Sequence, residues 1–287
     1  MNRKISRRNF LGSAALGGAF GLASRRLNAV LSDATPAGEF DFEIVDYHAH
    51  ALEGNAPMDK ILAAAKERGV KLGVLEHGGH GEVLNNDATL KAYIEKLAGL
   101  PVYKGIQAEG VDWPKCFSKE VVAQLDYVLS DALTLPERGK KTHIWTSEVH
   151  IEDPQDFMER YVAFNVQVIT EEPIDIFANP TFLPDAILAQ YDALWTRERM
   201  MKIIEAAKKE NVAIEINSRY NIPSLAFLRL AKEAGVKFSF GTNKEGLEVG
   251  KLDYSLKMAK ALGLTRKDMF VPAPAGKKPI QRRTFTS

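Results

Sequence analysis

The chain has 287 residues, 45% of them apolar, with 38 Lys and Arg against 37 Asp and Glu. That length suits one large α/β domain or two small ones, and the single cysteine, Cys116, excludes an intrachain disulfide and a Cys-rich zinc site. Six of the basic residues and none of the acidic ones fall in 1–29, which leaves 32 basic residues facing 37 acidic ones; that acidic balance argues against nucleic acid as the main partner.

In chain order, the first segment reads as a leader. In "SRRNFLGSAALGGAFGLA", Arg7 and Arg8 precede a small-residue apolar run over 10–23. A charged start and an apolar stretch of this length make an export signal over 1–29, and the paired arginines suit the twin-arginine route. The run is too short for a stable membrane span. Cleavage after Ala23 or Ala29 is compatible with the pattern. The twin-arginine export machinery is thus one expected partner, and the expected location is periplasmic or extracellular. The machinery carries folded proteins, often with a cofactor already loaded. A polar linker follows over 30–41.

From residue 42 to 271, β-rich apolar runs alternate with amphipathic stretches. "FEIVDYH", "KLGVLEH", "VYKGIQAEG", "LDYVLSD", "IDIFANP", "VAIEINS" and "VKFSFGT" read as seven strands. Between them "MDKILAAAKERG", "ATLKAYIEKLAG", "PQDFMERYVAFNVQVI", a long stretch over 185–210 and "PSLAFLRLAKEAG" read as helices, and "DYSLKMAKALG" as the last one. An insertion over 134–153 interrupts the alternation and carries His143, Trp145 and His150. The segment 272–287 is Pro-rich and basic, and is expected to be a flexible tail. Seven β-α pairs predict parallel strands with helical crossovers, closed as a distorted seven-stranded (βα)7 barrel of TIM-barrel-like α/β class. No Gly-rich phosphate loop follows any strand.

In such barrels the working residues lie at the C-terminal ends of the strands, and polar side chains end every predicted strand. They are His48 and His50, Glu76 and His77, Gln107 and Glu109, Asp131, Asn179, Glu215 and Asn217, and Asn243 with Glu245 following. In "VDYHAHAL", His48 and His50 stand at i and i+2, so a strand aims both rings at one spot, as paired metal ligands require. No histidine lies beyond residue 150, so a site built from the whole chain has to finish with carboxylates or amides. His80 in "HGGH" reads as a solvated loop residue. The insertion reads as a solvated loop, or else as a lid over the pocket.

The order of these motifs resembles the PHP (polymerase and histidinol phosphatase-like) family of metal-dependent phosphoesterases, over about 43–271. "DYHAH" is similar to the family's D-x-H-x-H opening, "VLEHGGH" to its T-D-H-G segment, "GIQAEG" to G-x-E, "IDIFANP" to D-x-x-x-H-P, "VAIEINS" to E-x-N and "FSFGTNKE" to G-S-D-x-H. The resemblance implies two or three divalent ions, Zn, Mn or Fe, with His48, His50 and His77 as matched ligands. It also shows where this chain departs from the pattern. The bridging Glu falls on Gln107, with Glu109 two residues on, and the fourth-strand His falls near Leu133, with Asp131 close by. The fifth-strand His falls on Asn179, and the last Asp and His fall on Asn243 and Glu245. Neutral amides bring no charge to offset clustered cations, so one or two ions are expected here. His48, His50 and Glu109 or Asp131 would hold one with an open position, and His77 with Glu245 a second. Glu76 or Asp131 would serve as general base, and Gln107, Asn179, Glu215 and Asn243 would line the pocket.

The expected activity is metal-dependent hydrolysis of a small-molecule substrate, with a phosphate ester as the expected class. The alternative is a PHP-like barrel without catalysis that binds a sugar or anion, suggested by the amide replacements. An amidohydrolase-type barrel also opens with H-x-H, but it expects a metal-bridging Lys and a late Asp. Neither is found, and Asn243 occupies the late position.

Overall fold

All seven apolar runs pair side by side as parallel strands. The computed structural model describes residues 39–137, 140–147 and 149–283; the export-signal reading over 1–29, and the linker reading up to residue 38, fall outside them. The barrel strands are β1 (Val45–His50), β2 (Lys71–Val74), β3 (Tyr103–Ala108), β4 (Tyr127–Ser130), β5 (Ile176–Phe177), β6 (Ala213–Asn217) and β7 (Phe238–Gly241). Each pairs in parallel with the next, and Asp46 of β1 pairs with Phe240 of β7, which closes the ring. Two-residue ladders extend the rim: His77–Gly78 lies against Gln107 and Ala108 of β3, and Lys244–Glu245 against Ala49 and His50 of β1.

Helices return the chain along the outside. They are α1 (Met58–Glu67), α2 (Asp87–Lys96), α3 (Lys119–Val122), α4 (Pro154–Glu171), α5 (Asp185–Leu188), α6 (Tyr191–Leu194), α7 (Arg197–Glu210), α8 (Leu225–Glu233) and α9 (Asp253–Leu262), with α10 (Pro279–Arg282) in the tail. Their starts follow local chemistry. Asn86 accepts from the N–H groups of Ala88 and Thr89 ahead of α2, and Asp153 from those of Gln155 and Asp156 ahead of α4. The stretch 185–210, read as one helical segment, is three helices. The insertion opens as an antiparallel hairpin, Thr134–Glu137 with Lys140–His143, rising from the end of β4. No helix among the described residues is long and apolar enough to cross a membrane.

Strand alternation divides the apolar residues into two sets. Ile106, Val128, Phe177, Ile214 and Phe240 face outward and pack under the helices. Val45, Tyr47, Tyr127, Leu129, Ile176 and Ala213 fill the barrel. Tyr47 is ringed by Tyr127, Phe270 and Tyr103 at centroid distances of 5.2, 5.1 and 5.7 Å. Tyr127 fits because Gly105 faces it: a Cβ there would lie 2.2 Å from the ring.

In the segment 272–287, expected as a loose basic tail, Lys278, Ile280 and Arg283 dock at the opposite end from the strand tips. Ile280 is buried, the Lys278 ammonium donates to the carbonyls of Ala123 and Leu125, and the Arg283 guanidinium to those of Ile169 and Glu210. The basic composition suggested solvation. Instead Lys278 satisfies carbonyls just past α3, and Arg283 carbonyls at the ends of α4 and α7.

Beside this tail, Asp175 is buried and accepts from the N–H of Val128 at 2.8 Å. Burial pushes its carboxyl up to about 7, against the pull of Lys278 and Arg283. The folded chain therefore holds this proton more tightly than the unfolded chain, whose aspartate titrates near ~4. Stability falls as pH rises between those values, by up to ~1.4 kcal/mol per pH unit, and levels off above. Asp175→Asn keeps an acceptor for Val128 and is expected to flatten that slope. Urea denaturation from pH 4.5 to 7.5 measures it, and an unchanged slope would assign the effect to another group.

Candidate metal centre

The upper half of β1 is held in place by Asp46. Its fully buried carboxylate accepts from the N–H of His48 (3.1 Å), the N–H and hydroxyl of Thr242 (3.0 and 2.5 Å) and the N–H of Gly250 (2.8 Å). The register of β1 against β2 shifts between Asp46 and Ala49, so Tyr47 packs in the barrel core while His48 also points inward. His48 and His50 do share a face, with ring centroids 5.3 Å apart, but they stand at different depths and keep different company.

His48 lies at the deeper level, fully buried, in a lattice of polar groups. Its Nδ1 is 2.7 Å from Glu215 Oε1 and its Nε2 is 3.1 Å from Gln107 Oε1. The Gln107 amide donates to Glu109 Oε1 (3.1 Å) and Asp131 Oδ2 (3.3 Å). The Asn179 amide also donates to Asp131 Oδ2 (2.8 Å), and Asn179 Oδ1 accepts from the amides of Asn217 and Asn243, both at 3.0 Å. Glu215 Oε2 accepts from the N–H of Asn179 (2.7 Å) and the amide of Asn217 (3.0 Å). Burial alone would raise the Glu215 carboxyl, but His48 and these donors hold it below the usual range. Gly241 of β7 leaves the room: a Cβ there would lie 1.9 Å from Glu215 Oε1 and 2.7 Å from the His48 Cβ.

Nearer the mouth, three side chains converge. The His50 and His77 rings stack at 4.9 Å with 21° between planes. A turn after β1, closed by Glu53 N–H donating to His50 O (3.1 Å), brings the Glu53 carboxylate back over them. Glu53 Oε1 is 2.8 Å from His50 Nδ1 and 3.5 Å from His77 Nε2. One donor atom from each of His50, Glu53 and His77 lies within 4.8 Å of the other two. Burial foremost, then the neighbouring rings of His77 and His48, lowers His50 to about 3, so the imidazole is neutral and keeps a lone pair. Burial opposes ionisation of Glu53, but its hydrogen bonds with His50 and His77 prevail and hold it well below the carboxylate range. Two imidazoles and an ionised carboxylate are the donor set of a tetrahedral zinc-type site with one position left open, and the residues fit one such ion.

The sequence-derived candidates thus separate into layers. His50 and His77, expected at different ions, stand together. His48 stands apart from them with both nitrogens engaged. Glu109 lies behind His77, its Oε1 2.8 Å from Nδ1. Glu245 pairs with His50 in the ladder but lies outside the converging three. Glu76 is half-buried and accepts from the N–H of His77 at 3.0 Å, and burial raises its carboxyl. Asp131 also accepts from the N–H of Leu133 at 3.0 Å. The pocket candidates Gln107, Asn179, Glu215 and Asn243 all belong to the deep lattice, with Asn217. His80 is exposed, 3.7 Å from Asp112, and the His143 ring lies 4.5 Å from Trp145. Glu53 escaped the strand-end rule because it follows the strand in a turn. Its signal was the spacing H-x-H-x-x-E, since an i to i+3 turn returns the fourth residue to the first.

No family model matches the sequence, and no curated protein matches it. Among solved structures the chain is similar to a histidinol phosphate phosphatase from Lactococcus lactis, solved with zinc, L-histidinol and phosphate. The TM-score is 0.57 at 14% identity, over 83% of this chain and 98% of that one. An archaeal ribonuclease P structure with mature tRNA (TM-score 0.37, 14% identity, 80% of this chain and 98% of that one) and a β-mannanase from Streptomyces thermolilacinus (0.32, 15%, 86% and 87%) share too little of the fold to bear on function. At 14% identity the phosphatase likeness is one of fold: a closed, seven-stranded parallel barrel of that kind, here with a polar centre at its strand tips.

Proposed function

We propose that this chain is a metal-dependent hydrolase of phosphate esters, working with Zn, Mn or Fe held by His50, Glu53 and His77. The observation that carries the reading is the convergence of two imidazoles and an ionised carboxylate at the strand-tip end of the barrel, where barrel enzymes place their chemistry. The fold shared with a zinc-containing phosphatase supports it. When bound, a divalent ion supplies Lewis acidity, which brings the pKa of water toward ~7 and polarises a phosphoryl oxygen.

The chain's own residues supply the rest. Glu109 holds His77 through Nδ1, so that Nε2, 3.5 Å from Glu53, is the atom that would meet the ion. Asp131 takes N–H donors from Gln107, Asn179 and Leu133 and braces the lattice. Glu76, half-buried and with its carboxyl raised, is better suited than Asp131 to exchange a proton at its oxygen. The substrate is a small phosphorylated molecule. We also propose export by the twin-arginine route, supported by Arg7, Arg8 and the apolar run behind them.

Full-length protein stripped with a chelator and reloaded with Zn or Mn is expected to hydrolyse an aryl phosphate, and the stripped form is not. Ion uptake without turnover across a phosphoester panel would favour a ligand-binding barrel, and absence of uptake would dismiss the reading altogether.

A further inference from the structure

We propose that the centre takes one divalent ion only, and that His48, half of the paired histidines, is a positioning residue that never ligates it. The proposal rests on the metal-site reading above but not on catalysis. Its basis is the direction of the hydrogen bonds in the deep lattice. The Gln107 NH2 lies between two carboxylate oxygens, on Glu109 and Asp131. Both are acceptors, so the amide orientation is fixed and Oε1 must face His48 Nε2. Glu215 engages Nδ1 from the other side at 2.7 Å. Both ring nitrogens are therefore committed, and ligation by His48 would break one of these bonds inside a fully buried site.

The rest of the lattice leaves no place for a second ion. The carboxylates of Glu215 and Asp131 collect N–H donors from Asn179, Asn217, Gln107 and Leu133. Amide donors thus compensate charge that clustered carboxylates would otherwise offer to a cation. The Asn179 oxygen is taken by two further amides. Among the described residues, His50, Glu53 and His77 are the one group of three or more His, Cys, Asp or Glu side chains whose donor atoms converge.

His48 nevertheless reaches the ion's residues through a relay. It runs from Glu215 to His48 (2.7 Å), to Gln107 (3.1 Å), to Glu109 (3.1 Å) and to His77 (2.8 Å). Each link sets the orientation of the next, and the last sets the ring that faces Glu53. His48 therefore tunes His77 from three bonds away, as partners beyond the ligands do in metal sites.

The test is metal stoichiometry on the full chain, stripped and reloaded with zinc, with cobalt(II) as an optical probe. One equivalent per chain is expected. His48→Asn and Glu215→Gln, which loosen the same relay from different positions, should each keep one equivalent. Their affinity should fall by ~10–100-fold, the usual effect of such outer partners, and the cobalt absorption should keep its tetrahedral intensity. His50→Ala and His77→Ala should lose the ion. Two equivalents in the wild type would overturn the proposal, and that measurement requires no variant to fold. So would a folded His48→Asn chain that loses the ion as fully as His50→Ala. A chain that holds one ion and hydrolyses nothing fails the proposed function and leaves this inference standing; a hydrolase with two ions does the reverse.

Discussion

Replacing Glu53 by alanine is expected to weaken zinc binding by roughly a thousandfold, about 4 kcal/mol. Glu53 is the one carboxylate among the three converging side chains, and its oxygen is 2.8 Å from one imidazole and 3.5 Å from the other. Removing it leaves two imidazoles, which bring no negative charge to offset a dication in a pocket where His50 is 96% buried. The loss should exceed the ~10–100-fold that follows when a partner outside the ligand set is changed. Glu53→Gln keeps the shape and an oxygen but not the charge, and should fall between alanine and wild type. Glu245→Ala, in the neighbouring ladder but outside the group, should change affinity little. Competition against a chromophoric chelator measures all three. A Glu53→Ala chain within tenfold of wild type would move the ion to other residues.

The second large effect is expected from Gly241→Ala. This glycine has no positive φ to defend, so its cost is steric. The new methyl would stand 1.9 Å from Glu215 Oε1 and 2.9 Å from its Cδ, and 2.7 Å from the His48 Cβ. None of these is the free end of a flexible chain, because Glu215 is held by His48, Asn179 and Asn217. Overpacking alone costs about 1–3 kcal/mol, and displacing a buried charged partner adds to it. A loss of at least ~3 kcal/mol is expected, or roughly 6–12 °C in Tm for a chain of this size. Gly263→Ala is the control. It meets nothing within 4 Å and sits at φ +57° after α9, so it should cost only about 1 kcal/mol. Thermal unfolding followed by circular dichroism compares them, and equal losses would remove the special role given to Gly241.

The fold was legible because the barrel strands are apolar runs separated from one another by helices, and because the polar tips fall where alternation puts them. All seven strands lie where the runs predict. The layering of the site was not legible. Alternation puts His48 and His50 on one face, correctly, but two residues along a strand is ~6.6 Å, enough to move His48 from the mouth into the lattice. The amides at 107, 179 and 243 read as ligands lost. That Asn179 joins Asn217 to Asn243, and shares Asp131 with Gln107, depends on contacts across the barrel that no local pattern carries. Glu53 was hidden by a turn. The tail misled because composition alone does not show which carbonyls lack partners, and Lys278 and Arg283 find theirs more than seventy residues away. The hairpin of Thr134–Glu137 with Lys140–His143 is not legible as strands, since Pro136 and Gly139 interrupt its alternation.

The aromatic plug formed by Tyr47, Tyr103, Tyr127 and Phe270 has a bearing on traffic. With the far end of the cylinder stoppered by rings, whatever reaches the three converging side chains enters from the strand tips and must depart the same way. Reactant and product share one doorway, so the faster the chemistry, the more the pace of the whole cycle rests with the loops that frame that entrance.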